Sequence, residues 1–332
     1  LLIGNIYSFK YKDNLYLFKL KLIKYQVMSK NLSLLQNFNK SNFYNNPFPH
    51  VIIENALPED IYNELQKSTP NDLISQSDLE KNNFRINILL DQLKNDTKYK
   101  MWHDFLSFHS SIDFYEEFIS IFKDSINELY PNLINEQKKK ILKKDSIKML
   151  NNRESAYIKK GETLLTSNYG CNTPVKVPTS VVEPHLDNSN KFYFGLFYLR
   201  PEDDKSEGGD LEIYKWKDNY SNFKKKNILF VKKWINIYDH VTQVKKLVYK
   251  KNCVIFGLNC IDSLHGVTIR QKTNYIRQFT YFSGTLDKDI GFATASLIQK
   301  LLFKNLPFTN KIEIIKNFLI RGGQKVKSLL RI

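Results

Sequence analysis

Residues 253–282 read CVIFGLNCIDSLHGVTIRQKTNYIRQFTYF, and this stretch sets the fold class. Residues 253–256 are short, apolar and partly β-branched, so they form a buried strand. A short loop then delivers His265 beside Gly266. Arg277 stands inside a second strand that is otherwise apolar and aromatic, with Tyr275, Phe279 and Tyr281 around it. An arginine buried in a strand needs an anionic partner, because an unpaired buried charge is too costly.

The same texture extends upstream to about residue 145. NKFYFGLFYLR (190–200), GGDLEIYKW (208–216), NILFVKKWINIY (227–238) and KLVYKKNCVIFGLN (246–259) are short apolar runs separated by Gly, Asn and Asp. Such spacing predicts an antiparallel sandwich or barrel, not a parallel α/β sheet. Before it, HVIIENA (50–56) reads as a strand. Pro58 followed by Glu59 and Asp60 reads as a helix start, with acids at the positive end of the dipole. Across 99–142, Trp102, Phe105, Leu106, Phe114, Phe118, Phe122 and Leu129 recur at helical spacing, ended by Pro131; an aromatic stripe of this kind is a core face. After Gly284 helical periodicity returns. The expected organisation is a non-native leader or read-through over 1–27 and a mostly helical support region over 28–144. A catalytic β core follows over 145–286, then a basic helical extension over 287–332.

With 332 residues, 42% of them hydrophobic and 14% aromatic, the chain can bury a real core, which excludes a mostly disordered protein. No run approaches the ~18 apolar residues of a spanning helix. Three cysteines without CxxC spacing exclude a disulfide framework and a zinc ribbon, and predict a reducing, cytoplasmic setting. The net charge of +16 suggests polyanion partners. Yet the lysines are spread along the chain without a nucleic-acid motif, so solvated lysines are expected and nucleic acid is not. The tail GGQKVKSLLRI (322–332) has the charge for a peripheral contact with an anionic membrane, but packing of the extension on the domain is favoured.

Of six histidines, His185 has a carboxylate two residues on, in EPHLDN (183–188). In a strand, residues i and i+2 share a face, so His185 and Asp187 can hold one ion together. His265 is a candidate third ligand, or else a satisfied core histidine. EGGDLEIY (207–214) lies between the two, with Gly208 and Gly209 turning into a strand. Two histidines and a carboxylate occupy one face of an octahedral ion and leave positions open, as suits non-haem Fe(II).

HLD at 185–187, GGDLEIY at 208–214, CVIF–LHGV at 253–267 and RQFTYF at 277–282, in that order, resemble the Fe(II)/2-oxoglutarate-dependent dioxygenases, nearest the prolyl 4-hydroxylase-like branch. NPFPHVIIENALP (46–58) is a weaker upstream echo. The resemblance implies an α+β fold: a double-stranded β-helix (jelly-roll) core with N-terminal helices and a C-terminal helical extension. It implies His185, Asp187 and His265 as catalytic metal ligands for Fe(II), with O2 and 2-oxoglutarate as cosubstrates and ascorbate as reductant. The products would be succinate, CO2 and a substrate hydroxylated at a C–H bond. Arg277 would bind the far carboxylate of 2-oxoglutarate, since a planar guanidinium fits that geometry; Arg270 and Lys272 are rivals, and Glu212 is an alternative partner for Arg277. Tyr169, in LLTSNYG, stands where such enzymes often carry a hydroxyl for the cosubstrate, or else is a core tyrosine. Tyr193 and Phe197 share one face of their strand and Tyr198 the other. The substrate is a small molecule, a glycan or a peptidyl side chain; a protein prolyl hydroxylase, a non-catalytic jelly-roll binding module and a polyanion-binding protein are the alternatives. An apparent insertion between 216 and 244 and the C-terminal extension lie where substrate selectivity is usually decided.

Overall fold

The computed structural model describes residues 32–130, 162–217 and 240–287, together with 147–149, 158 and 238. The leader at 1–27, most of the insertion between 216 and 244, and the C-terminal extension beyond 287 lie outside these residues.

The N-terminal region pairs β1 (Phe43–Tyr44) with β2 (His50–Glu54). Helix α1 (Glu59–Lys67) starts after Pro58, with Glu59 and Asp60 in its first turn, and buries Tyr62 and Leu65. A short α2 (Gln76–Leu79) capped by Ser75 leads to β3 (Arg85–Ile88). The aromatic stripe divides into two helices, α3 (Lys100–His109) and α4 (Ile112–Leu129). The break before Pro131 comes from Ser110 and Ser111: the Ser111 hydroxyl accepts from the Phe114 amide and caps α4, competing with continuation of α3. The stretch expected to be mostly helical therefore also supplies three strands.

The remaining strands are β4 (Ile147–Met149), β5 (Thr163–Asn172), β6 (Lys191–Tyr198), β7 (Leu211–Trp216), β8 (Val241–Leu247), β9 (Cys253–Leu258), β10 (His265–Val267) and β11 (Arg277–Leu286). They form a large sheet in the order β1-β2-β9-β6-β11-β5-β3, with β4 beside β5, and a small sheet in the order β10-β7-β8. Among the described residues all pairs are antiparallel except β4 with β5. The chain is thus a mixed helix and antiparallel-sheet protein.

Side-chain alternation gives the large sheet two faces. One is covered by α3 and α4, where Trp102 meets Tyr169, Phe105 meets Phe197 and Phe282, and Phe118 meets Tyr193 and Phe256. This face and the helices share one core cluster. The opposite face carries Phe194, Leu196, Arg277, Phe279 and Tyr281, and a cavity of about 280 Å³ separates it from Leu211, His265 and Val267 of the small sheet. A second apolar cluster of Leu186, Tyr214, Trp216, Val241 and Leu264 accompanies the small sheet. Among the described residues, no helix is long and apolar enough to cross a membrane.

Candidate metal and anion site

His185 and Asp187 are not in a regular strand. His185 makes a single antiparallel bridge to His265, with its amide donating to the His265 carbonyl at 2.9 Å and the reverse bond at 3.1 Å. The two imidazoles are thus directly opposed, with ring centroids 4.5 Å apart. Gly266 allows this approach, because a Cβ there would stand 3.0 Å from the Pro184 nitrogen. Leu186 turns away into the second cluster, so His185 and Asp187 still face the same cavity. The ligand atoms of His185, Asp187 and His265 all lie within 4.8 Å of one another.

Backbone carbonyls set both imidazoles. His185 Nδ1 lies 2.9 Å from the Glu183 carbonyl and His265 Nδ1 lies 2.9 Å from the Ser263 carbonyl. A carbonyl can only accept, so Nδ1 carries the proton and Nε2 is the nitrogen left with a lone pair. His265 also stacks on Phe194 at 4.5 Å. Burial, reinforced by His265, lowers the His185 pKa to about 4, and burial lowers that of His265. Burial works to raise the Asp187 carboxyl, but Lys191 and the two imidazoles outweigh it and hold the group below its ordinary value. Two neutral imidazoles and an ionised carboxylate are a donor set that fits a divalent transition-metal ion.

Lys191 was not foreseen. Its ammonium donates to Asp187 Oδ1 at 3.1 Å and to the Tyr281 hydroxyl at 2.6 Å. The turn after Asp187 brings it back, and Asn259 fixes that turn by donating to the Asn188 and Lys191 carbonyls, both at 2.9 Å. The Tyr130 hydroxyl donates in turn to the Asn259 carbonyl, tying the end of α4 to the site. Burial disfavours the Lys191 charge, yet Tyr281 and Asp187 raise its pKa above the ordinary lysine value.

Arg277 lines the same cavity and is only 3% exposed. Its Nε donates to the Gly209 carbonyl at 2.8 Å, Nη1 to Asn172 Oδ1 at 3.2 Å and Nη2 to the Tyr198 hydroxyl at 3.4 Å. Its guanidinium also lies about 5 Å from the rings of Tyr198, Tyr249 and Phe279. Gly208 and Gly209 have φ of +80° and +82°. A Cβ on Gly209 would stand 2.9 Å from Arg277 Cδ, so the glycine pair lets the backbone pass against the guanidinium. All these partners are neutral: among the described residues no carboxylate oxygen lies within 4 Å of Arg277. Glu212 accepts from the Tyr214 hydroxyl at 2.6 Å instead.

The rivals to Arg277 lie elsewhere. Arg270 is fully buried and its terminal nitrogens donate to Asn83, the Thr173 carbonyl and the Tyr275 carbonyl at 2.8–3.0 Å. Lys272 is exposed and does not line the cavity. Tyr169 is not brought to the site. It sits three residues from cavity-lining Asn172 on β5, so the period of two turns it to the helical face. There its hydroxyl donates to Asn71 Oδ1 at 2.5 Å and its ring packs on Trp102. Tyr281, in phase with Arg277 and Phe279 on β11, is the cavity phenol; that spacing could have found it. Arg85 and Asn172, also unforeseen, line the cavity because β3 and β5 pair Arg85 with Asn172.

No family model matches the chain, and no curated protein matches it either. Similar solved structures include a prolyl 4-hydroxylase from Phytophthora capsici, at 11% identity over 80% of this chain with a TM-score of 0.39; the match spans 66% of that chain, just under two thirds. A prolyl hydroxylase from Trichoplax adhaerens, in complex with a hypoxia inducible factor oxygen degradation domain peptide fragment, matches at 13% identity over 80% of this chain and 92% of its own, with a TM-score of 0.34. HygX from Streptomyces hygroscopicus, with nickel and 2-oxoglutarate bound, matches at 9% identity over 72% of this chain and 83% of its own, with a TM-score of 0.32.

Proposed function

We propose that the chain is an Fe(II)/2-oxoglutarate-dependent dioxygenase that hydroxylates a C–H bond of its substrate. The strand arrangement would then be that of a double-stranded β-helix, with the metal and cosubstrate between the large and small sheets. One observation carries this reading: a three-ligand cation site and a buried guanidinium without a carboxylate partner share a single small cavity. A buried charge left without its counter-ion is costly, so Arg277 supports a ligand that brings an anion. A structural metal site would close its coordination, whereas this group supplies three protein ligands among the described residues.

His185, Asp187 and His265 would hold Fe(II), which when bound supplies O2 activation coupled to oxidative decarboxylation of 2-oxoglutarate. The chain's own contribution is positional. The Glu183 and Ser263 carbonyls aim the two imidazoles, and Lys191 holds the carboxylate. Arg277, braced by Gly209, Asn172 and Tyr198, would fix the far carboxylate of the cosubstrate as a bidentate partner.

The test is succinate release by the full chain with Fe(II), 2-oxoglutarate, O2 and ascorbate. Succinate should form in the wild type and fall to background in His185→Ala, Asp187→Ala and His265→Ala. Arg277→Lys should raise the KM for 2-oxoglutarate while leaving Fe(II) binding intact, because a point charge cannot replace the guanidinium fork. Absence of succinate in the wild type, or near-normal turnover in any triad variant, would sink the reading.

A further inference from the structure

Among the described residues three cations line the cavity, and they are not equally committed. Lys191 is paired with Asp187 and bonded to Tyr281. Arg277 places all three of its nitrogens on neutral acceptors. Arg85 is exposed, and its one hydrogen bond among the described residues is from Nε to Asn87 Oδ1 at 3.2 Å. Its guanidinium is held 5.2 Å from the Phe279 ring and 5.1 Å from the Tyr281 ring, both of which line the cavity. The two rings and the Nε bond keep the guanidinium beside the cavity and leave Nη1 and Nη2 for a ligand.

The charge balance points the same way. Among the described residues, Asp187 is the one carboxylate lining the cavity, against Arg85, Lys191 and Arg277. A divalent ion and a dicarboxylate cosubstrate would cancel each other, so two positive charges would remain for whatever enters next. The whole chain, at +16, adds a field that attracts anions.

We propose that Arg85 is a specificity-determining residue that binds an oxyanion of the substrate, a carboxylate or a phosphate ester, at the mouth of the cavity. This rests on the proposed dioxygenase reading and assigns its substrate class: an anionic molecule whose charged group docks on Arg85 while a C–H bond is presented to the metal. A planar guanidinium with two free terminal nitrogens suits either oxyanion as a fork. A neutral isostere would leave the charge unanswered.

The experiment is a calorimetric titration of the full, metal-free chain with benzoate, phenyl phosphate and neutral benzamide, repeated on Arg85→Gln and Arg85→Lys. At least one anionic probe should bind ~10-fold or more tighter than benzamide to the wild type. The preference should fall to within about 2-fold in Arg85→Gln and be partly kept in Arg85→Lys, which retains the charge without the fork. The tighter of the two anionic probes names the oxyanion. Equal affinity for all three probes in the wild type overturns the proposal. So does a preference that Arg85→Gln leaves intact, which would place the anion on Arg277 alone. The titration needs neither iron nor 2-oxoglutarate, so a wild type that releases no succinate but binds these probes through Arg85 would separate failure of the reaction from failure of the anion site.

Discussion

Half-buried Lys191 and fully buried His109 are each set by their partners. Lys191 donates to a carboxylate oxygen of the proposed metal ligand Asp187 and is anchored at its other side by Tyr281. Groups that hold a ligating carboxylate typically contribute 10–100-fold in metal affinity. Lys191→Met is therefore expected to weaken Fe(II) binding by about one to two orders of magnitude, read by equilibrium dialysis; unchanged affinity would remove its positioning role. His109 is fully buried among Phe105, Phe108, Phe114 and Phe282. Its Nδ1 donates to the Phe105 carbonyl at 2.8 Å and its Nε2 accepts from the Leu34 amide at 3.2 Å, so only the neutral ring fits. Burial lowers its pKa to about 3 from an ordinary 6.5. Above pH ~6.5 the ring is neutral folded or unfolded and the stability is complete. As pH falls from there toward 3, the unfolded chain takes up a proton that the folded one refuses, costing about 1.4 kcal/mol per pH unit. The urea midpoint should fall across pH 6.5–5 in the wild type and fall less steeply in His109→Gln. Equal slopes would remove His109 from the acid response.

At the scale of elements, the turn into β7 places Arg277. Gly208 and Gly209 both lie in the left-handed region, and their neighbours differ in how far they can yield. A Cβ on Gly208 would come within 1.9 Å of the Ile269 carbonyl oxygen, so backbone must move, whereas one on Gly209 meets the Arg277 side chain. Gly208→Ala should therefore lower the melting temperature more than Gly209→Ala, each carrying a backbone penalty of about 1–3 kcal/mol. Gly209→Ala should also impair Arg277, visible as a raised KM for 2-oxoglutarate. The reverse ranking of melting temperatures would mean that the turn relaxes by another route. The sequence marked this glycine pair as a tight turn, and the alternation of β11 put Arg277, Phe279 and Tyr281 in phase. The break between α3 and α4 was legible only in the Ser110–Ser111 pair, because the aromatic periodicity continues across it.

Over the described residues, the helices and the large sheet share one apolar cluster, and the cavity lies on the side those helices leave free. Phe105 touches Trp102, His109, Phe197 and Phe282, joining α3 to β6 and β11. Phe105→Ala should cost about 3–5 kcal/mol. Because the cluster is continuous, far-UV circular dichroism and tryptophan fluorescence should report one shared midpoint in both wild type and variant. Separate midpoints would show that the helices melt independently of the sheet.

The sequence by itself determined the antiparallel strand texture, the aromatic core stripe and the order of the residues that carry the proposed chemistry, because side-chain periodicity and turn residues act over a few positions. Arg277 was legible from its apolar strand and the spacing of His185 and Asp187 was suggestive, while the full ligand set with His265 came from the resemblance of the ordered motifs; the structure lines one cavity with all four. Tertiary structure alone decided which sheet face the helices would cover, and with it the turn of Tyr169 away from the cavity and onto Trp102. It also decided that the terminal nitrogens of Arg270 would donate to backbone carbonyls and Asn83. Arg85 was invisible in the sequence for the same reason. Its place in the cavity comes from pairing with Asn172 across the chain, and such register is set by the summed burial of whole strands, which no local pattern records.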